Sequence, residues 1–349
     1  MHPVLVKIPF VHLTIWSFGA MAVLGFVAAI LVTRRMCRSV GLDAEVIANA
    51  AMYCLIIGMV GARAFFVVHY YDQFRGDFGG VFAVWRGGLE FLGGVIPAIV
   101  FLLLYLRHRK LPVRRYFDIM AVGLMLGLSF GRIGCFMNGC CFGRPTDLPW
   151  GVRFPYRSYA YLSQINADPK RHRAHPHLEL PHAEYLSFTD VDGRWYPKPL
   201  AELTEQQRHE VTRGKHRCLP MHPTQLYSWA AALLMSAILY GFWRKSRSEP
   251  EPETPYWRFW RPGLTVAMGF ILYGITRPVL ESIRDDNPFE FASLTISQIA
   301  GILLFVFGVV LLAAHVFAKP HAIGGNTTIA VPETGKMIRT PKANLVDSD

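Results

Sequence analysis

Apolar residues dominate seven stretches of the chain, and charge, glycine and proline collect between them. The stretches lie at about 14–32, 47–70, 88–106, 117–139, 225–243, 263–281 and 294–318. Each is near the ~20 residues that a helix needs to cross ~30 Å of hydrocarbon. This pattern predicts an all-α polytopic membrane protein with about seven transmembrane helices. Residues 140–222 are polar with aromatic and proline punctuation, which predicts a small external head between helices four and five. The segment 244–262, with SRSEPEPETP at its centre, reads as a cytoplasmic linker. Residues 319–349 lack apolar periodicity and are expected to form a disordered cytoplasmic tail, leaving 1–318 as one transmembrane domain. No internal repeat is visible, which weakens an inverted-repeat transporter reading.

Charge orients this arrangement. Arg34, Arg35 and Arg38 follow the first span; Arg107, Arg109, Lys110, Arg114 and Arg115 follow the third; Arg244, Lys245 and Arg247 follow the fifth. The alternate short loops carry little more than Arg75, Arg86 and Arg284. The positive-inside rule then places the N-terminus outside, in the periplasm, and the C-terminus in the cytoplasm. Only Lys7 precedes the first apolar run, with no small-residue cleavage site, so that span is expected to be a retained anchor. The chain has 349 residues, 52% hydrophobic, with formal charge +11 and mean hydropathy +0.26. Such values fit neither a disordered tail nor an ordinary soluble domain. The excess of cations points to membrane lipids, and no nucleic-acid partner is expected.

Several polar groups inside the apolar runs need partners. In LYGITRPVLESIRDDN, Tyr273, Arg277, Glu281 and Arg284 are spaced by four, four and three, so they share one helical face, with Pro278 beside them. An Arg277–Glu281 pair could merely neutralise itself. The alternative is that Glu281 orients Arg277 toward a ligand phosphate, for which a planar guanidinium fork is suited. Arg132 adds a second cation in GRIGCFMNGCCFG (131–143), whose glycines serve either close helix packing or a close-lying ligand. Two arginines near the outer leaflet require more negative charge than Glu281 supplies, and a phospholipid headgroup would provide it. HPTQLYS (222–228) opens the fifth span, GGLEFLGG (87–94) opens the third, and Arg63 lies inside GMVGARAFFVV. Arg63 could pair with Glu90 or join the anion site; the sequence leaves both open.

Taken in order along the chain, GGLEFLGG, GRIGCFMNGCCFG, HPTQLYS, YGITRPVLESIRDD and LTISQ resemble the prolipoprotein diacylglyceryl transferase family over about 14–318. The resemblance implies seven spans with the N-terminus outside, in the bacterial inner (cytoplasmic) membrane. It implies transfer of the sn-1,2-diacylglyceryl group from phosphatidylglycerol to the lipobox cysteine thiol in the signal peptide of a prolipoprotein, releasing glycerol phosphate. Arg132, Arg277 and Glu281 would then be catalytic, and Arg132, Gly143, Asn138, Tyr273, Arg284, His222 and Tyr227 would bind phosphatidylglycerol. No metal or organic cofactor is implied. The chain departs from the family at Leu92, where many members have a histidine thought to help deprotonate the thiol. Cys135 and Cys140 also stand where asparagine and an acidic residue are usual, and Phe18 where tyrosine is frequent. Without that histidine, His222, Glu281, Glu90 or the thiol's own ionisation would have to serve. A relative with another lipid or acceptor, an inactive lipid-binding protein and a membrane thiol-redox protein are the other readings.

Six cysteines complete the inventory. Cys37 and Cys54 are expected to be unpaired, and Cys218 is expected to pair with Cys140 or Cys141 at the outer surface, where disulfides persist. The Cys-x4-Cys-Cys spacing fits no common zinc pattern. RHRAHPHLELPH (171–182) places His172, His175, His177 and His182 on a loop that reads as solvated and basic, able to meet anionic headgroups or the precursor.

Overall fold

The computed structural model describes residues 4–8, 13–76, 78–84, 87–190, 193–246, 262–291 and 293–317. The expected linker, in its 247–261 part, and the expected tail at 319–349 lie outside the described residues. A short antiparallel hairpin, β1 (Val4–Ile8) with β2 (Leu13–Trp16), leads into α1 (Ser17–Ser39). Then come α2 (Glu45–His69), the short α3 (Phe78–Phe82), α4 (Phe91–His108) and α5 (Val113–Asn138). The head follows, with α6 (Tyr159–Ile165), α7 (His182–Tyr185), a hairpin of β3 (Leu186–Thr189) and β4 (Trp195–Pro197), and α8 (Glu205–Thr212). Three long helices close the described chain: α9 (Thr224–Ser246), α10 (Leu264–Ile283) and α11 (Ile296–Phe317).

Six of these helices (α1, α2, α5, α9, α10 and α11) are long and apolar enough to cross a membrane, which makes this a multi-pass membrane protein. The third expected span, α4, is also apolar, and its stretch Gly93–His108 is shorter. Val23, Leu24, Val27 and Leu31 of α1 and Val306 and Val310 of α11 are exposed, as expected of surfaces that face lipid. α1 runs to Ser39, beyond its expected end, carrying Arg34, Arg35 and Arg38 on its last turns. Straight-chain basic residues are good helix formers, so nothing stops the helix at the apolar boundary. α10 continues through Pro278 without a break.

Packing follows small residues and one buried acid. α1 lies on α5, α5 on α9, α10 on both α9 and α11, and α2 on α4. A Cβ at Gly61 would lie 2.4 Å from the Gly93 carbonyl, and one at Gly274 would lie 2.5 Å from the Phe305 nitrogen, so glycine sets the approach of α2 to α4 and of α10 to α11. Asp118 of α5 is buried and accepts from the backbone nitrogens of Gly263 at 2.6 Å and Val266 at 2.9 Å. It therefore caps α10 from a neighbouring helix and fixes where α10 begins against α5. The head has its own core of Phe142, Phe154, Tyr161, Ile165, Leu203 and Met221.

Candidate functional site

The site is assembled where the loop after α5 meets the beginning of α9 and the end of α10. Gly139, with φ +74°, terminates α5, and the Cys140 nitrogen returns to the Cys135 carbonyl at 3.2 Å. The chain then runs as a strap between two neighbours. Gly143 N donates to His222 O at 3.0 Å, His222 N to Arg144 O at 3.0 Å, and Arg144 N to Ile283 O at 2.9 Å. A Cβ at Gly143 would stand 2.6 Å from the His222 Cβ and 2.8 Å from its carbonyl oxygen. Glycine is required there by backbone approach to backbone. Thr224 Oγ1 donates to Cys141 O at 2.6 Å and Gln225 Nε2 to Cys140 O at 2.7 Å. HPTQ thus holds the cysteine turn, while His222 Nδ1 lies 3.3 Å from the Tyr227 hydroxyl, which also accepts from Trp150 Nε1 at 2.7 Å.

The end of α10 carries the densest charge. Arg277 Nη2 donates to Ser297 Oγ at 2.8 Å and lies 3.0 Å from Glu281 Oε2, an ion pair without hydrogen-bond alignment. Glu281 is 1% exposed. Its Oε1 accepts from Asn287 Nδ2 and, at 3.2 Å, from the Thr295 hydroxyl. Arg284 forks Asp286 at 2.8 and 2.7 Å and places Nη1 3.4 Å from Glu281 Oε2. LTISQ explains itself here: Thr295 and Gln298 form reciprocal bonds that start α11, and the same segment supplies Thr295 to Glu281 and Ser297 to Arg277.

Arg132 differs from these. It is half-buried near the end of α5, within electrostatic reach of Arg277 and Cys141, yet it makes no hydrogen bond or ion pair among the described residues. A side chain at the adjoining Gly131 would meet nothing within 4 Å, so space is open beside it. Arg277 and Arg284 pair with Glu281 and Asp286, whereas Arg132 has no carboxylate partner among the described residues and acts electrostatically on the Cys141 thiol. The fork of Arg132 suits a phosphodiester oxygen pair. Tyr273 lies near Arg277, and Asn138 donates to the Cys140 sulfur at 3.7 Å.

Other expected residues find different roles. Arg63 neither pairs with Glu90 nor joins this cluster. Its guanidinium bonds the carbonyls of Val81 (2.9 Å), Gly87 (2.6 Å), Gly88 (2.9 Å) and Gly80 (2.5 Å), between the rings of Phe66 and Phe74. Glu90 instead pairs with His69 at 2.6 Å. The disulfide expected at Cys218 is not formed. Cys218 is a free thiol in the head core, and Cys140 and Cys141 turn toward Cys135. The reason is local: the left-handed turn at Gly139 folds these two thiols back onto α5. Thiol hydrogen bonds from Cys135 and Cys140, then the charges of Arg284 and Arg132, pull the Cys141 thiol well below its ordinary value.

The basic loop is not simply solvated. Arg173 Nη1 bonds Asp285 Oδ2 at 2.5 Å, Arg171 Nε and His177 Nε2 each lie 3.4 Å from Asp285, and Arg171 Nη2 donates to Arg284 O at 2.6 Å. Burial alone would raise the Asp285 carboxyl, but the His177 hydrogen bond and the Arg173 and Arg171 charges outweigh it and hold the group below its ordinary range. Asp285, Asp286, Arg171, Arg173 and Ser297 were not singled out from the sequence. Only the doubled acid after Arg284 and the T-x-x-Q capping pattern signalled them.

Comparison with known proteins bears on this geometry. Residues 3–314 match the family described as prolipoprotein diacylglyceryl transferase. Among curated proteins the chain is similar to the phosphatidylglycerol–prolipoprotein diacylglyceryl transferase of Rhodopirellula baltica, at 27% identity over 91% of this chain and 77% of that protein. It is also similar to proteins of the same name from Synechococcus elongatus (25% identity, 88% and 85% covered) and Clostridium tetani (23%, 91% and 100%).

Proposed function

The chain belongs to the prolipoprotein diacylglyceryl transferase family, and we propose that it moves the sn-1,2-diacylglyceryl group of phosphatidylglycerol onto the thiol of a lipobox cysteine. In this reaction the substrate thiolate forms a carbon–sulfur bond at the glycerol carbon as the carbon–oxygen bond breaks. The bonding electron pair leaves with glycerol phosphate. The nucleophile belongs to the precursor, so no cysteine of this chain has to attack.

The observation that carries the reading is Arg132, a guanidinium without a carboxylate partner among the described residues, beside an already paired Arg277–Glu281 unit. The phosphate enters as a monoanion and departs more highly charged, so a free cation at that place favours the transition state over the ground state. Glu281 and Ser297 hold Arg277 in place to share the phosphate oxygens. Glu281 is engaged as a positioning group, since Asn287, Thr295, Arg277 and Arg284 all converge on its oxygens. His222 and the His69–Glu90 pair are the better candidates for the thiol proton. Gly143, Asn138, Tyr273 and Tyr227 would shape the headgroup pocket, and Arg284, already forked onto Asp286, would act through its charge.

On the same reading α4 is the seventh span, the N-terminus faces the periplasm, the C-terminus the cytoplasm, and the membrane is the bacterial inner membrane. The test gives purified protein phosphatidylglycerol and a lipobox peptide and looks for the mass of a diacylglyceryl group on the peptide. Lipid binding without that mass increase would favour an inactive lipid-binding protein instead.

A further inference from the structure

The lipid chemistry leaves one constellation unused. The sulfurs of Cys135, Cys140 and Cys141 all lie within 4.8 Å of one another. Their spacing in sequence could not have placed them so on a continuous helix. The helix ends first, at Gly139 with φ +74°, and Cys141 then adopts φ +61°, a region that side-chain-bearing residues seldom enter. That backbone is held from α9 by Thr224 Oγ1 on the Cys141 carbonyl at 2.6 Å and Gln225 Nε2 on the Cys140 carbonyl at 2.7 Å. The convergence is thus imposed by neighbours and not by chance rotamers.

We propose that Cys135, Cys140 and Cys141 form a binding site for one soft d10 cation of the Zn(II) or Cu(I) type. With metal–sulfur bonds of ~2.3 Å, tetrahedral geometry puts sulfurs about 3.8 Å apart, so the trio has to close by at most about an ångström. Thiolate is the soft donor that such ions prefer. Binding exchanges three thiol protons for one metal ion, giving a complex of charge −1 for Zn(II) or −2 for Cu(I). The charges of Arg284 and Arg132 both act on Cys141 and offset that charge. Three protein ligands leave a fourth position for water. Gln225 Oε1 is buried without a hydrogen-bond partner among the described residues, in the same amide that bonds Cys140, and is an acceptor for such a water.

The site shares Arg132 and Arg284 with the proposed lipid site, but it is tested without measuring transfer. Full-length protein, purified reduced in detergent, is titrated with Cd(II) as a spectroscopic probe and with Zn(II) against a chromophoric chelator. The expected result is one ion per chain, a Cd–thiolate charge-transfer absorbance, and release of protons on binding. Cys135→Ser, Cys140→Ser and Cys141→Ser should each weaken binding at least tenfold, while Cys218→Ser and Cys54→Ser leave it unchanged. Absence of the thiolate absorbance in the wild-type protein overturns the proposal, whatever the variants' folding. So does binding that survives replacement of all three cysteines, which would place the ion on the histidines of 172–182.

Discussion

Two of the arginines in the apolar helices of this protein, Arg63 and Arg132, could hardly be used more differently. Arg63 of α2 gives its guanidinium to four backbone carbonyls between two phenylalanine rings. Arg132 of α5 gives its own to nothing among the described residues, beside open space at Gly131. The first is a clasp that satisfies the loop between α2 and α4. The second is a cation waiting for an anion. A charge in an apolar run is therefore not evidence of function until the destination of its hydrogen bonds is known.

The comparison breaks most readily at Arg132. Arg132→Ala should lower kcat/KM for diacylglyceryl transfer by at least ~10²–10³-fold, the scale of losing one aligned donor at a developing charge. The protein should still insert and keep its thermal midpoint, because no partner is stranded. Near-normal turnover would sink the assigned role. Arg132→Lys should recover only part of the rate, since the ammonium keeps charge but loses the fork.

Arg277→Ala should cost activity and stability together, because it removes one of the two cations that face the buried Glu281, where breaking a pair costs at most ~3–5 kcal/mol and Arg284, Asn287 and Thr295 soften the loss. Glu281→Gln is the milder change. A variant at either position with lost activity and an unaltered melting curve would show that the pair carries no structural load.

Arg63→Ala should do the reverse of Arg132→Ala. The carbonyls of Val81, Gly80, Gly87 and Gly88 lose a charged donor, so the melting temperature should fall, at ~1.5–3 kcal/mol for each such bond at most. Activity per folded molecule should be retained. Chemistry lost without destabilisation would put Arg63 in the site after all.

The smallest effect is expected at the clamp between head and bundle. Asp285 has its carboxyl held below the ordinary value. A group of this kind stabilises the folded state above its unfolded pKa of ~3.9, and the contribution is lost as pH falls through the lower folded value. Asp285→Asn should therefore loosen the head, read as faster limited proteolysis at 166–182, at neutral pH. The difference from wild type should shrink as pH drops below ~4. A pH-independent difference would mean that packing, and not charge, docks the loop.

Helices were the most legible part of the chain. The expected spans at 225–243 and 263–281 became Thr224–Ser246 and Leu264–Ile283, because continuous apolar length reports what a bilayer demands. The N-terminal hairpin was not foreseen, since its two short strands are only five and four residues long and merge with the first apolar run. In the site, Tyr273, Arg277, Glu281 and Arg284 were visible by helical spacing. Asp285 was not, because its partners Arg171 and Arg173 are brought to it by the docking of a loop more than a hundred residues away in sequence, while Asp286 takes the nearby Arg284.

By itself the order of residues determined that this chain forms long apolar helices, which of them carry charge on one face, and where glycine permits turns. These are properties of neighbours within one or two helical turns. Only the tertiary structure decided which arginine is satisfied and which is left over, and that three cysteines meet while a fourth stays in the head. Electrostatic pairing and sulfur convergence depend on distances between elements, and those are set by helix packing and by the strap at Gly143, which no local pattern encodes.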